Sequence, residues 1–373
     1  MQMNDINRCY FQYKKSIKSG IIYFGIIKSV LLVLFFFILM LTSLLDFKSK
    51  KNKKIWIIKY SKEPYDTINK ILAEEKIFNF LKIKPGFILP KVFVLDFFHF
   101  FKLKPFFVIK NIVFFAALAF KISRYYYNIK KNNIYFLIVM QEYSFYISYL
   151  TTIMEKRGGK LYNIMHGVPG KYYSFFRCSK CFVWSDYFKK IYIRQGADKN
   201  QFIISGSIFH QFINKFNSKN YKIKYDICYP LEGKVDGFED VLDVLIKLRK
   251  SISICIKQHP RYKVNIKQLK DNKGNTLYNL LHSNIIIAHY STILLDALVL
   301  NKKVISYIAN KNYLDYVSYL PDECIVTSIA ELEKKLNYLL NNRIKINIDI
   351  NYLLNLNKNA VKIIREEIEK DLI

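Results

Sequence analysis

The feature that most limits what this chain can become is an alternation of short apolar runs with helix-like stretches, repeated in two series. In the first half the strand candidates are KIWIIKY from Lys54, IYFLIVMQ from Ile134, KLYNIMHG from Lys160, CFVWSD from Cys181 and FIISGS from Phe202. After a polar stretch without periodicity, NKFNSKNYKIK, the pattern restarts as YDICYPLEG, SISICIKQHP, NIIIAHYST, KVISYIA and CIVTS. Runs that are apolar on both faces belong to parallel sheets covered by helices on both sides. Two such series imply an α/β chain with two Rossmann-like domains, residues 51–215 and 222–345. Residues 346–373 follow as a C-terminal segment, amphipathic and helical from Asn351 onwards.

Residues 1–50 stand apart. Within them, residues 21–45 read IIYFGIIKSVLLVLFFFILMLTSLL, with Lys28 as the one charge. That meets the length of about 20 apolar residues that a spanning helix needs. FKSKKNKK follows, and no small-residue cleavage site is visible, so an uncleaved membrane anchor is expected, its C-terminal side cytoplasmic. Removing residues 1–50 is then expected to make the protein more soluble. A second apolar run, residues 105–122, is broken by Lys110 and Asn111. It reads as an interfacial or a buried helix inside an apolar insertion spanning residues 90–128.

A formal charge of +30 invites a nucleic-acid reading. Against it, 50 of the 59 basic residues are Lys, spread along the whole chain, and no RRM, zinc-finger or helix-turn-helix pattern occurs. The scarcity of acids fits attraction to an anionic leaflet and to phosphate-bearing substrates. Of six cysteines, Cys178 and Cys181 form a lone CxxC without a second pair, so reduced thiols near the core are expected rather than a zinc site. No GxGxxG or P-loop occurs, which disfavours NAD enzymes and P-loop kinases.

Ligands of open parallel sheets bind beyond the carboxyl ends of the strands. The residues there are Gln141-Glu142, His166-Gly167, Ser185-Asp186, Ser205-Gly206-Ser207, Glu232-Gly233, His259-Pro260-Arg261 and His289-Tyr290-Ser291-Thr292. Ser291 and Thr292 open a helix, whose free N–H groups and dipole suit a phosphate, although an N-cap pair without ligand looks the same. His259 can donate to a phosphate oxygen, with Arg261 assisting. His166 can take the proton of an acceptor hydroxyl. Glu142 and Glu232 are further candidate bases. His166 ranks first, Glu232 second and Glu142 third.

The order of these motifs — HG after a strand, VWSDYFKKIYIRQGADKNQFIISGS, KQHPR, then AHYSTILLDALVLNKKVISY — resembles bacterial GT-B surface-carbohydrate transferases. That group includes the HP-motif sialyltransferases, the capsule Kdo-transferase-like proteins and the CDP-glycerol glycerophosphotransferases. The resemblance covers residues 134–307. It implies a GT-B fold, a nucleotide sugar held by His259, Pro260, Arg261, Ser291, Thr292, Ser205 and Gly206, and an acidic residue, Asp296, on the ribose. It implies an acidic-acidic-Gly motif whose carboxylate acts as base. Here the first acidic position is Leu231, so the match at Glu232 is partial. It further implies a metal-independent glycosyltransferase with no cofactor. The enzyme would work on a glycan or lipid-linked acceptor in capsule, lipooligosaccharide or O-antigen synthesis, on the cytoplasmic side of a bacterial inner membrane. Glycerophosphate transfer, epimerisation of a sugar nucleotide and a non-catalytic scaffold are the alternatives.

Overall fold

The computed structural model describes residues 2–18, 26–42, 52–58, 65–84, 86–140, 144–169, 176–217, 219, 221–232, 235–258, 274–342 and 346–372. The chain forms two compact units. One is Met1–Gly206 together with Lys358–Ile373, the other Ser207–Asn357.

In chain order the first unit runs α1 (Gln2–Lys18), α2 (Ile26–Thr42), β1 (Asn52–Ile58), α3 (Tyr65–Ala73), β2 (Phe78–Leu81), α4 (Lys91–Leu103), α5 (Pro105–Lys110), α6 (Ile112–Lys131), β3 (Ile134–Val139), α7 (Ile147–Lys156), β4 (Lys160–Ile164), β5 (Lys180–Val183), α8 (Asp186–Arg194) and β6 (Phe202–Ile204). Among the described residues its sheet is six-stranded and parallel, in the order β2-β1-β3-β4-β5-β6. The continuous apolar strands have the expected cause: Leu137, Ile138 and Val139 of β3 are wholly buried, because helices cover both faces.

The second unit runs α9 (Ile208–Asn214), β7 (Tyr225–Pro230), α10 (Phe238–Leu248), β8 (Ile254–Lys257), α11 (Thr276–Leu281), β9 (Ser283–Ala288), α12 (Ile293–Val299), β10 (Lys303–Tyr307), β11 (Ile325–Val326), α13 (Ile329–Asn341) and α14 (Ile350–Leu354). Its described strands pair in parallel in the order β11-β10-β9-β7-β8. Ile227, Ile285, Ile287 and Ile305 form the centre of its core with Val241 and Leu245 of α10.

The units divide at Gly206–Ser207, ahead of α9, rather than within the polar stretch read as a linker. The C-terminal segment is likewise two helices. Asn355 takes a left-handed conformation (φ 47°) that ends α14, a turn that Asn tolerates better than most residues. The last helix, α15 (Ala360–Glu369), then belongs to the first unit. There Asp371 accepts bonds from Lys160 Nζ (2.6 Å) and Tyr162 OH (2.8 Å), and lies 3.1 Å from Lys180 Nζ.

The N-terminal segment corrects the reading of a spanning anchor. Of residues 21–45, those at 21–25 and 43–45 lie outside the described residues. The remainder is α2, Ile26–Thr42. No helix among the described residues is long and apolar enough to cross a membrane. Instead α2 packs into the first unit, with Phe36 and Leu39 buried, Phe35 against Phe120 of α6 and Phe36 against Phe97 of α4. Helix α1 is also part of that core. Cys9 and Tyr13 are buried, and Asp5 accepts bonds from Thr152 and Arg177. Removing residues 1–50 would therefore strip the first unit of part of its core.

The apolar run 105–122 divides at Asn111. The Asn111 amide donates to the Phe107 carbonyl (2.8 Å), closing α5, and its oxygen accepts from Tyr10 OH (2.8 Å). Beyond it α6 is a buried helix, with Ala116, Ala117, Leu118 and Ala119 all within the core. All six cysteines are free thiols and buried.

Candidate functional site

In the second unit the ends of β7, β9 and β10 bring Glu232, His289, Tyr290, Ser291 and Tyr307 together. Glu232 lies two residues beyond β7 and reaches the turn after β9. His289 N–H donates to Glu232 Oε1 (2.8 Å) and Tyr290 N–H to Oε2 (3.4 Å). Burial pushes this carboxyl up to about 7, against the pull of the N–H groups of His289, Tyr290 and Ser291.

His289 is buried and serves that turn. Its Nδ1 lies 2.9 Å from the Tyr307 carbonyl, which only accepts, so Nδ1 carries the proton. Nε2 then accepts from Tyr229 OH at 2.6 Å. Burial lowers His289 to about 4, so the ring stays neutral at physiological pH and works as a brace. Tyr307 OH donates to Asp240 of α10 (2.8 Å). Gly237, which precedes α10, has φ +81°, and a Cβ there would stand 2.5 Å from the Tyr307 ring; only glycine fits.

Ser291 Oγ accepts from the N–H of Ile293 (3.4 Å), so it helps to start α12, and Thr292 is the helix N-cap without a side-chain cap bond. Both residues are half-buried. Asp296, one turn on, has a neighbour inside the unit: His210 Nε2 of α9 lies 3.0 Å from its Oδ1, while His210 Nδ1 meets Ser207 Oγ at 2.6 Å.

Sequence reasoning passed over a tyrosine cluster beside Ser291. Tyr290 stacks on Tyr313 (ring centres 4.9 Å, 24°), and Tyr316 closes the group at 5.7 Å from Tyr290. The available signal was the spacing NYLDYVSYL directly after a strand. Such a cluster can stack on a planar ring.

In the first unit, His166 follows β4 by two residues and is half-buried. Trp184 Nε1, at the end of β5, donates to the neighbouring Met165 carbonyl (3.0 Å) and so fixes the backbone beside it. Ser205 is buried and its hydroxyl donates to the Gly206 carbonyl (2.9 Å), while Gly206 has φ 87°. These two residues close the first unit, whereas Glu232, Ser291, Thr292 and Asp296 belong to the second. Glu142, Gly233, His259, Pro260 and Arg261 lie outside the described residues.

Among the described residues no group of three His, Cys, Asp or Glu side chains could hold a metal ion. A cavity of 320 Å³ lined by Asn214, Lys302, Lys303 and Asp349 sits at the start of β10, the opposite end of that strand from Tyr307.

The Glu232 carboxyl has a consequence for pH. Its proton is held more tightly in the fold than in the open chain, so its contribution to stability is complete below the ordinary carboxylate range and is lost as pH rises through about 7. A phosphate bound at Ser291 would favour the neutral acid for the same reason. Affinity for any phosphate-bearing ligand held there, if its charge does not titrate in this range, would fall roughly five- to tenfold between pH 6 and 8. Glu232→Gln should flatten that profile. A calorimetric titration in which the parent is pH-independent would refute the coupling.

No protein-family model and no curated protein matches the chain. Solved structures do. A UDP-GlcNAc 2-epimerase from Rickettsia bellii aligns with 86% of this chain and 96% of its own, at 11% identity and a TM-score of 0.56. The UDP-GlcNAc 2-epimerase of Neisseria meningitidis, bound to UDP-GlcNAc, covers 85% and 99% at 12% identity and a TM-score of 0.54. The wall teichoic acid polymerase TagF covers 97% of each chain at 12% identity, with a TM-score of 0.47, too low to weigh in the argument. At these identities the likeness is one of fold, two parallel α/β units of the GT-B type.

Proposed function

We propose that this protein is a glycosyltransferase that takes a sugar from a CMP- or UDP-linked donor. It passes the sugar to a surface glycan or lipid-linked acceptor at the cytoplasmic face of a bacterial inner membrane. The observation that carries the donor side is the turn after β9. There a carboxyl near neutrality and a braced histidine hold three consecutive backbone N–H groups next to Ser291 and Thr292, with a tyrosine cluster alongside. The hydroxyls of Ser291 and Thr292, held beside this turn, suit a phosphate with an aromatic base next to it.

In this reading Ser291, Thr292, His259 and Arg261 meet the donor phosphate, and Pro260 shapes their loop. Asp296 approaches the ribose, and Ser205 with Gly206 lines the substrate path. The leaving phosphate is stabilised by these groups without a metal or a resident cofactor. Both oxygens of Glu232 already accept backbone N–H groups, which favours a positioning role for it and supports His166, ahead of Glu142, as the base.

Losing hydrogen bonds to a charged phosphate should cost about 1.5–3 kcal/mol, a roughly ten- to hundredfold weaker donor. The His259→Ala variant and the double variant Ser291→Ala with Thr292→Ala are each expected to show it. Parent-like nucleotide binding by both would move the donor site elsewhere.

Epimerisation is the second reading, favoured by the likeness to two UDP-GlcNAc 2-epimerases. The motif order over residues 134–307 favours transfer. The deciding experiment is a panel of nucleotide sugars and CDP-glycerol, screened first by thermal shift and then for turnover. Nucleotide release only when an acceptor glycan or lipid extract is added supports transfer. An epimer formed without acceptor refutes it, and turnover of CDP-glycerol alone changes the group moved. Absence of nucleotide binding leaves a scaffold.

A further inference from the structure

Among the described residues, the exposed large apolar side chains of the first unit, all but Phe11, sit on three helices, α2, α4 and α5. On α2 they are Val30, Leu31, Leu34, Phe37, Ile38 and Leu41, each 54–68% exposed and spaced as one helical stripe. The opposite side of α2 is fastened to the fold through Phe35 and Phe36. Beyond that seam α4 carries exposed apolar residues of its own, among them Leu95 and Phe98. Phe36 packs on Phe97 at 5.1 Å, Phe37 lies beside Phe36 at 5.5 Å, and the exposed Phe98 lies against Phe97 at 5.7 Å. On α5, Phe106 is 87% exposed. Exposed apolar residues in this number mark a surface that something covers.

Its charge selects the occupant. Residues 76–140 contain eleven Lys and Arg and one acid. That acid, Asp96, is buried and accepts from Tyr149 OH. The exposed Lys91, Lys102, Lys104 and Lys110 accompany the apolar side chains of α4 and α5. A second copy of the chain would set these lysines against their like. A bilayer surface rich in anionic headgroups would accept them while the phenylalanines enter the headgroup–acyl boundary.

We propose that this face rests on an anionic lipid surface, with α2 lying along the bilayer rather than crossing it. The proposal specifies how the membrane location suggested above is achieved, and it does not depend on which reaction is catalysed.

The test is co-sedimentation of the full-length protein with vesicles of phosphatidylcholine alone or mixed with phosphatidylglycerol. Binding should be at least roughly tenfold stronger to the mixed vesicles, and should weaken with salt. A variant carrying Leu34→Gln, Phe37→Gln, Phe98→Gln and Phe106→Gln, all at exposed positions, should lose at least about tenfold in vesicle binding while keeping its melting temperature and nucleotide affinity. Loss of nucleotide binding in the parent would bear on the reaction and not on this face. Equal vesicle binding by parent and variant overturns the proposal. So does a parent that ignores anionic vesicles, including one that sediments as a dimer dispersed by the variant, since a second copy would then cover the face.

Discussion

His166→Ala is expected to lower turnover by about 10²–10⁴ while leaving donor affinity within a few-fold, the signature of a lost general base. The chemistry asks for a group that removes the acceptor hydroxyl proton as the anomeric carbon is attacked. His166 stands two residues beyond β4, beside a backbone that Trp184 holds in place. Imidazole is the side chain most often used for such a proton transfer. Glu232 has its carboxyl near 7 but spends both oxygens on the turn after β9. Its loss should therefore weaken donor binding as well as turnover. The two variants separate on that ground: a His166→Ala protein with near-normal turnover, measured with the donor that the panel identifies, would pass the role to Glu232.

The second large effect concerns folding. Asp5 of α1 accepts Thr152 Oγ1 at 2.6 Å and Arg177 Nε at 3.1 Å, with Arg177 Nη2 at 3.0 Å. Arg177 also meets Glu155 at 2.8 Å, so one guanidinium ties the first helix of the chain to α7. Removing one member of a buried pair strands the other, at a cost of about 3 kcal/mol. Asp5→Ala should lower the melting temperature by roughly 6–12 °C. Glu155→Ala, at the exposed end of the same network, should cost no more than about 1 kcal/mol. If Asp5→Ala melts within a degree or two of the parent, α1 is not the structural element described here.

Much of the architecture was legible because parallel strands buried on both faces leave continuous apolar runs. Ile134 to Val139 and Ser283 to Ala288 show this directly. What was not legible involved choices that hydropathy does not encode. An apolar helix reads the same whether protein or lipid surrounds it, so α2 looked like an anchor until its contacts with Phe97 and Phe120 were visible. The four-residue β2 gave no period to read. In the site, Glu232 and Ser291 could be picked out as strand-end residues. Their joint role could not, because the bond from His289 N–H spans 57 positions and depends on β7 lying beside β9.

The return of α15 to the first unit bears on how the chain is made. The second unit, Ser207–Asn357, is one uninterrupted stretch and can be completed during synthesis. The first, although begun earlier, must wait for residues made after the second, since Lys160, Tyr162 and Lys180 find their shared carboxylate only at Asp371. Until α15 has been made, the older half stays unfinished, although every residue of the younger half has already been added. Loss of Asp371 would thus injure the portion translated first.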